Sequence, residues 1–135
     1  MPTTAKRNTF RKPEKICSQK QIDLLFAQRK SISSGLFRLI YLETEASAKP
    51  PVQLLIAVPK KNLRHAVDRN RMKRLIREAY RLNKHDLVDF YSRIGKHCDI
   101  AVIFTGKLCI SQAETLTAIK GLLNRLILVH EKTPE

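Results

Sequence analysis

Residues 60–84 spell KKNLRHAVDRNRMKRLIREAYRLNK, with ten Lys or Arg against two acids, Asp68 and Glu78. The stretch carries a net +8 of the +14 borne by the whole 135-residue chain. On a helical wheel of about 100° per residue with Arg69 at zero, Met72, Leu75, Ile76, Ala79 and Leu82 fall between about 220° and 340°. Asn70, Lys73, Arg74, Arg77 and Arg81 fall between about 40° and 140°. The spacing therefore predicts a helix over about 68–83 with one face able to bury and the opposite face almost purely basic. Asp68 is expected as its N-cap.

A merely solvated helix face mixes signs, because opposite charges four residues apart attract. Here Lys73 and Arg77, and Arg77 and Arg81, are like pairs at that spacing. A polyanion relieves such repulsion, and nucleic acid is the expected partner. Elsewhere, residues 1–30 hold eight basic and two acidic residues, while 31–59 and 85–135 are balanced. The basic excess thus lies in an N-terminal arm, its first helix and the 60–84 stretch.

Working outward, Ser18-Gln19-Lys20-Gln21 has the form of a capping box, and a helix is expected from about 18 to 30 with Ile22, Leu25 and Phe26 on one face. Ser31 to Gly35 is expected to break it. Residues 36–43, LFRLIYLE, read as a strand with Phe37, Leu39 and Tyr41 on one face. After a loop at 46–51, residues 52–58, VQLLIAV, read as an apolar, central strand, pairing antiparallel with the one before. Beyond the basic helix, Leu87, Phe90, Tyr91 and Ile94 keep a helical period up to Gly95. DIAVIFT at 99–105 reads as an interior strand. Ser111-Gln112-Ala113-Glu114 is a second capping box, opening a helix to about 129. The expected fold class is α+β: an α/β sandwich, order α-β-β-α-β-α, with a small mixed sheet and helices packed on it. Residues 1–15 read as a flexible basic arm, 16–130 as one RNA-binding domain and 131–135 as a tail.

Three cysteines with no C-x-x-C spacing argue against a disulfide framework or a zinc site and fit a reducing cytosol. The first residues lack the apolar core of a signal peptide, and no run is long and apolar enough to span a membrane. Neither a nucleophile elbow, a Gly-rich phosphate loop nor an H-E-x-x-H occurs. Asp86 and Asp89 are too few for a two-metal nuclease, and His65 is placed to contact RNA rather than to act as a base. No catalytic residue is expected within the chain.

The residues Lys60-Lys61, then Ala66-Val67-Asp68-Arg69-Asn70-Arg71-Met72-Lys73-Arg74-Leu75-Ile76-Arg77-Glu78-Ala79-Tyr80-Arg81, resemble the signature of the protein subunit of bacterial ribonuclease P. The element order resembles that family from about residue 15 to 129. Departures are Ile22, where many members have Phe, Pro59 before the lysine pair, and four residues rather than three between that pair and Ala66. The resemblance implies a ribosomal-protein-like fold with a left-handed βαβ crossover. It implies an endoribonuclease that removes the 5′ leader of precursor tRNA, in which an RNA subunit does the chemistry with Mg²⁺ held mainly by that RNA and the substrate. It further implies that this cytoplasmic protein binds both RNAs and lowers the Mg²⁺ requirement. By position, Lys60, Lys61, Arg64, Arg69, Asn70, Arg71, Lys73, Arg74, Arg77 and Arg81 would meet the catalytic RNA. The leader would lie between the first helix and the sheet, at Phe26, Ser31, Phe37 and Tyr41. A ribosomal-type RNA-binding protein without processing activity is the alternative, disfavoured by the R-N-R helix. DNA binding or membrane-surface binding is disfavoured because no second helix stands at helix-turn-helix spacing and the apolar face suits a sheet.

Overall fold

A computed structural model describes residues 15–16, 19–27, 30–45 and 50–132. Residues 1–14 of the N-terminal arm, Ser18 of the first capping box, most of the 46–51 loop and the last three residues lie outside the described residues. The elements in order are α1 (Gln19–Phe26), β1 (Ser31–Ser34), β2 (Phe37–Glu45), β3 (Val52–Ala57), α2 (Ala66–Asn83), α3 (His85–Ile94), β4 (Lys96–Phe104) and α4 (Gln112–Lys132). The mixed α+β class agrees with expectation.

The sheet order is β1-β2-β4-β3, with β2 antiparallel to both β1 and β4, and β3 parallel to β4. This corrects the expected antiparallel pairing of the second and third strands. β4 lies between them because it is buried on both faces along nearly its whole length, from His97 to Val102 and again at Phe104. Such a strand belongs at the centre. β3 takes the outer position among the four strands, and α2 and α3 form the crossover that returns the chain parallel to it. Beyond β3, Lys15 makes a parallel bridge to Leu54, and the Ile16 N–H donates to the Leu54 carbonyl at 3.1 Å.

β1 occupies the segment expected to be a breaker. Its only large apolar side chain is Ile32, which is buried, while Ser31 and Ser33 are exposed. The two-residue turn to β2 places Gly35 at φ +55°, a conformation that suits glycine. Gly95, at φ +71°, ends α3 in the same way, its N–H meeting the carbonyls of Ser92 and Tyr91. At the start of α4 the second capping box is formed: Ser111 Oγ accepts from the Glu114 N–H at 3.1 Å, and Glu114 Oε1 accepts from the Ser111 N–H at 3.3 Å.

Strand parity divides the sheet into two faces. Phe37, Leu39, Tyr41, Leu54, Ile100, Val102 and Phe104 face α2, α3 and α4 in the main core, with Met72, Ile76, Tyr80, Leu122 and Leu126. The opposite face packs Ile40 and Ala101 under Leu25 of α1, with Leu42, Leu55 and Ile103 only half-buried. Among the described residues one helix of eight residues packs on that side, where Arg38 is exposed.

A buried polar cluster fixes α1 there. Gln21 Nε2 donates to Gln53 Oε1 at 2.7 Å and approaches the Asp99 carboxylate at 3.3 Å. His97 Nε2 stands 2.6 Å from Asp99 Oδ1, and its Nδ1 stands 2.7 Å from the Pro50 carbonyl. The two ring nitrogens thus lie between a carboxylate and a backbone carbonyl. Removing either His97 or Asp99 would leave a buried polar group stranded.

Candidate nucleic-acid interface

The basic stretch is presented in two parts, a turn and a helix. The chain leaves β3 through Pro59, whose carbonyl accepts from the N–H groups of Asn62 and Leu63 at 3.1 and 3.2 Å. Leu63 is buried, and the Asn62 amide donates to the Phe104 carbonyl at 3.1 Å. With its inner side anchored, the turn holds Lys60, Lys61 and Arg64 in solvent. α2 then starts at Ala66, two residues earlier than expected. Its N-cap is the extended His65, with no side-chain cap, so Asp68 sits in the first turn instead. There the carboxylate still meets the positive helix end.

Along α2, Asn70, Arg71, Arg74 and Arg77 are exposed, Lys73 is half-buried, and Met72, Ile76, Ala79 and Tyr80 are buried. The buried arc is turned about 50° from the apolar arc of the wheel. Leu82 is 40% exposed, whereas Tyr80, near the basic border, is fully buried. Packing against α4, and also against β3, sets this rotation.

The exposed cations form a ridge between two grooves. On one side Lys73 and Arg77 line a groove of about 210 Å³ with Lys15, Ile16, Leu54, Leu55 and Ile56. On the other, Arg71 and Arg74 line one of about 440 Å³ with Leu75, Glu78 and Gln112. Lys15, outside the residues expected at the site, joins it through its bridge to β3, a long-range pairing that local periodicity does not encode.

Two of the expected cations have intramolecular partners. Arg69 Nη1 donates to the carbonyls of Leu63 and Arg64 at 2.9 and 2.8 Å, strapping the Lys60–Arg64 turn to the helix. Arg81 pairs with Glu78, whose carboxyl is held below the usual carboxylate range by the guanidinium's hydrogen bonds.

The aromatic residues separate. Phe26, at the end of α1, is 43% exposed, and Ser31 is exposed at the start of β1. Phe37 and Tyr41 are buried on the other face, under α2–α4, with the Phe37 ring 5.4 Å from that of Phe104. They share one face of their strand as expected, but it is the core face, so neither ring is open to a base. Burial, with the nearby Glu43 carboxylate, pushes the Tyr41 phenol up. The α1 side of the same strand carries Arg38, exposed, with Ile40 and Leu42. Among the described residues, no three His, Cys, Asp or Glu are grouped to hold a metal ion. Nor is any described helix long and apolar enough to cross a membrane.

The sequence and the fold both match known proteins. The family model described as Ribonuclease P matches residues 10–126, nearly the whole chain. The chain belongs to the ribonuclease P protein family. One relative, the ribonuclease P protein component of Chlorobium phaeobacteroides, is 41% identical over 107 residues, 73% of each chain. That of Porphyromonas gingivalis is 40% identical over 78 residues, 58% of this chain and 57% of the relative. Among solved structures, the Staphylococcus aureus RNase P protein superposes with a TM-score of 0.64 at 22% identity, covering 84% of this chain and 94% of that one. The Thermotoga maritima protein gives 0.62 at 26% identity, covering 83% and 96%. As a member of the ribonuclease P family, the chain is a protein component of an endoribonuclease of tRNA processing.

Proposed function

We propose that this protein binds the catalytic RNA subunit of ribonuclease P through the α2 ridge and the Lys60–Arg64 turn, and assists removal of the 5′ leader from precursor tRNA in the cytoplasm. The observation that carries the reading is the ridge: exposed Arg71, Arg74 and Arg77, with Lys73 beside them, on a helix whose other side is locked into the core. Folded RNA presents phosphates at the density such a surface neutralises. Arg69 acts here through the turn it straps, and Arg81 is tempered by Glu78.

The leader of precursor tRNA is assigned to the open, α1 side of the sheet, beside Phe26 and Ser31. Arg38 lies on that face, and the Lys15–Lys73–Arg77 groove borders the β3 edge. Single strands suit a surface that pairs an exposed ring with backbone-tracking cations. Phe37 and Tyr41 shape this strand from behind. Magnesium takes oxygen ligands. The ridge has only Asp68, half-buried, and Glu78, bonded to Arg81, so its donor set does not fit that ion. Mg²⁺ is therefore assigned to the RNA subunit and substrate, and the protein's contribution is neutralisation of phosphate charge.

Cleavage of precursor tRNA by the cognate RNA subunit, with and without this protein, tests the proposal. At low Mg²⁺ the protein should raise the rate by at least about tenfold, a gain of about 1.4 kcal/mol. The Arg71→Ala/Arg74→Ala/Arg77→Ala variant should lose most of that gain. Equal rescue by the variant, or cleavage by the protein without RNA, would refute it.

A further inference from the structure

Four segments meet at the end of the sheet where β4 finishes. Asn62 of the basic turn bonds the Phe104 carbonyl, and the Thr105 N–H donates to the Leu36 carbonyl of the β1–β2 turn at 2.8 Å. Cys109 Sγ lies 3.6 Å from the Asp68 carbonyl in the first turn of α2. Gly106 packs so closely that an added Cβ would stand 2.6 Å from the Phe104 ring. The loop of residues 105–111 is thus tied at both ends to buried structure. It carries Leu108, 79% exposed, next to Cys109, and Val67, 78% exposed, stands next to Asp68. Among the described residues, Val67 and Leu108 are far more open than any other large apolar side chain, the next being Leu24 at 50%.

Scattered exposed apolar residues are ordinary. This pair is different in its setting: Leu108 follows exposed Lys107, Val67 lies between exposed Arg64 and Arg71 in the chain, Asn62 ties the turn of exposed Lys60 and Lys61 to the strand end before the loop, and Asp68 is half-buried. The cations select a polyanion. The apolar tips have no use for phosphate, but they fit the faces of unstacked bases, which RNA offers in loops and bulges and a regular duplex does not.

Resting on the RNA-subunit reading above, we propose that Val67 and Leu108 form an apolar contact for an unpaired nucleotide of the catalytic RNA, with Lys107 on its phosphate. The interface then extends past the helix face, over the start of α2 and onto the β4–α4 loop. Affinity of the full chain for the RNA subunit, measured across a salt series, tests this. The Val67→Ser/Leu108→Ser variant should bind at least about tenfold more weakly with an unchanged salt slope, because no phosphate contact is removed. Leu108→Met should retain affinity within about twofold, since size and apolarity are kept. Lys107→Ala should lower the slope by about one contact's worth. Should the double Ser variant bind as wild type does, or lose only self-association in sedimentation, the contact is refuted while the ridge reading stands. If wild-type protein fails to bind the RNA subunit, the functional reading itself falls.

Discussion

Arg69 directs one nitrogen of its guanidinium at two backbone carbonyls, those of Leu63 and Arg64. Lys60, Lys61 and Arg64 therefore depend on Arg69 for their placement, although nothing in the spacing of R-N-R distinguishes a strap from a phosphate contact. Arg69→Ala should speed amide hydrogen exchange at residues 60–65 by at least about tenfold while leaving the middle of α2 protected, as expected for local opening. Arg74→Ala, lacking that bond, should leave the turn's exchange unchanged. Equal protection in wild type and Arg69→Ala would remove the strap from the account. The basic identity of these residues was legible in the sequence. Which cations face inward was not, because that depends on a carbonyl supplied by the loop before the helix.

The packing of α3 on the sheet is where element-level chemistry shows. Tyr91 of α3 donates to Glu43 of β2 at 2.5 Å, and the buried Cys98 of β4 lies beside them. Burial, reinforced by Cys98 and Glu43, raises the Tyr91 phenol far above its ordinary 10.0; burial also raises the Cys98 thiol far above 9.0, although the hydrogen bond with Tyr91 opposes that shift. Both groups are neutral when protonated, so the folded state holds its protons more tightly than the unfolded chain. Their stabilisation is complete below pH 9 and declines as pH rises beyond it, first for Cys98 and then for Tyr91. Between pH 9.5 and 10.5 the decline should be about 1.4 kcal/mol per pH unit for each such group fully ionised in the unfolded chain. Denaturant titrations of Cys98→Ala should show a shallower alkaline slope than wild type, whatever the variant's stability at neutral pH. Identical slopes would contradict the arrangement. The same elements show what local pattern reveals. Ser111-Gln112-Ala113-Glu114 announced α4 because a capping box is local. β1 escaped notice because, with Ile32 its only large apolar side chain, it is an edge strand recognised by its partner, not its composition. The place of β4 between β2 and β3 likewise follows from burial on both faces, a property of the assembled sheet.

At the scale of the whole molecule, charge and cover are both asymmetric. Among the described residues, one sheet face lies under three helices and the other under α1 alone. The excess positive charge gathers on α2 and the turn before it, with Lys15 brought to its flank by a bridge to β3. The α+β class and the ridge were legible because a long amphipathic basic helix declares both what it buries and what it exposes. The burial of Phe37 and Tyr41 was less legible: alternation groups the two but does not say which face the helices will cover. The central claim is that the ridge neutralises phosphates of the catalytic RNA, and its direct test is the dependence of that RNA's affinity on salt. The wild-type plot of log affinity against log salt should fall steeply, and Arg71→Ala/Arg74→Ala/Arg77→Ala should flatten it by two to three contacts, at about 0.9 per contact on a duplex. A variant slope equal to the wild type's would contradict the claim.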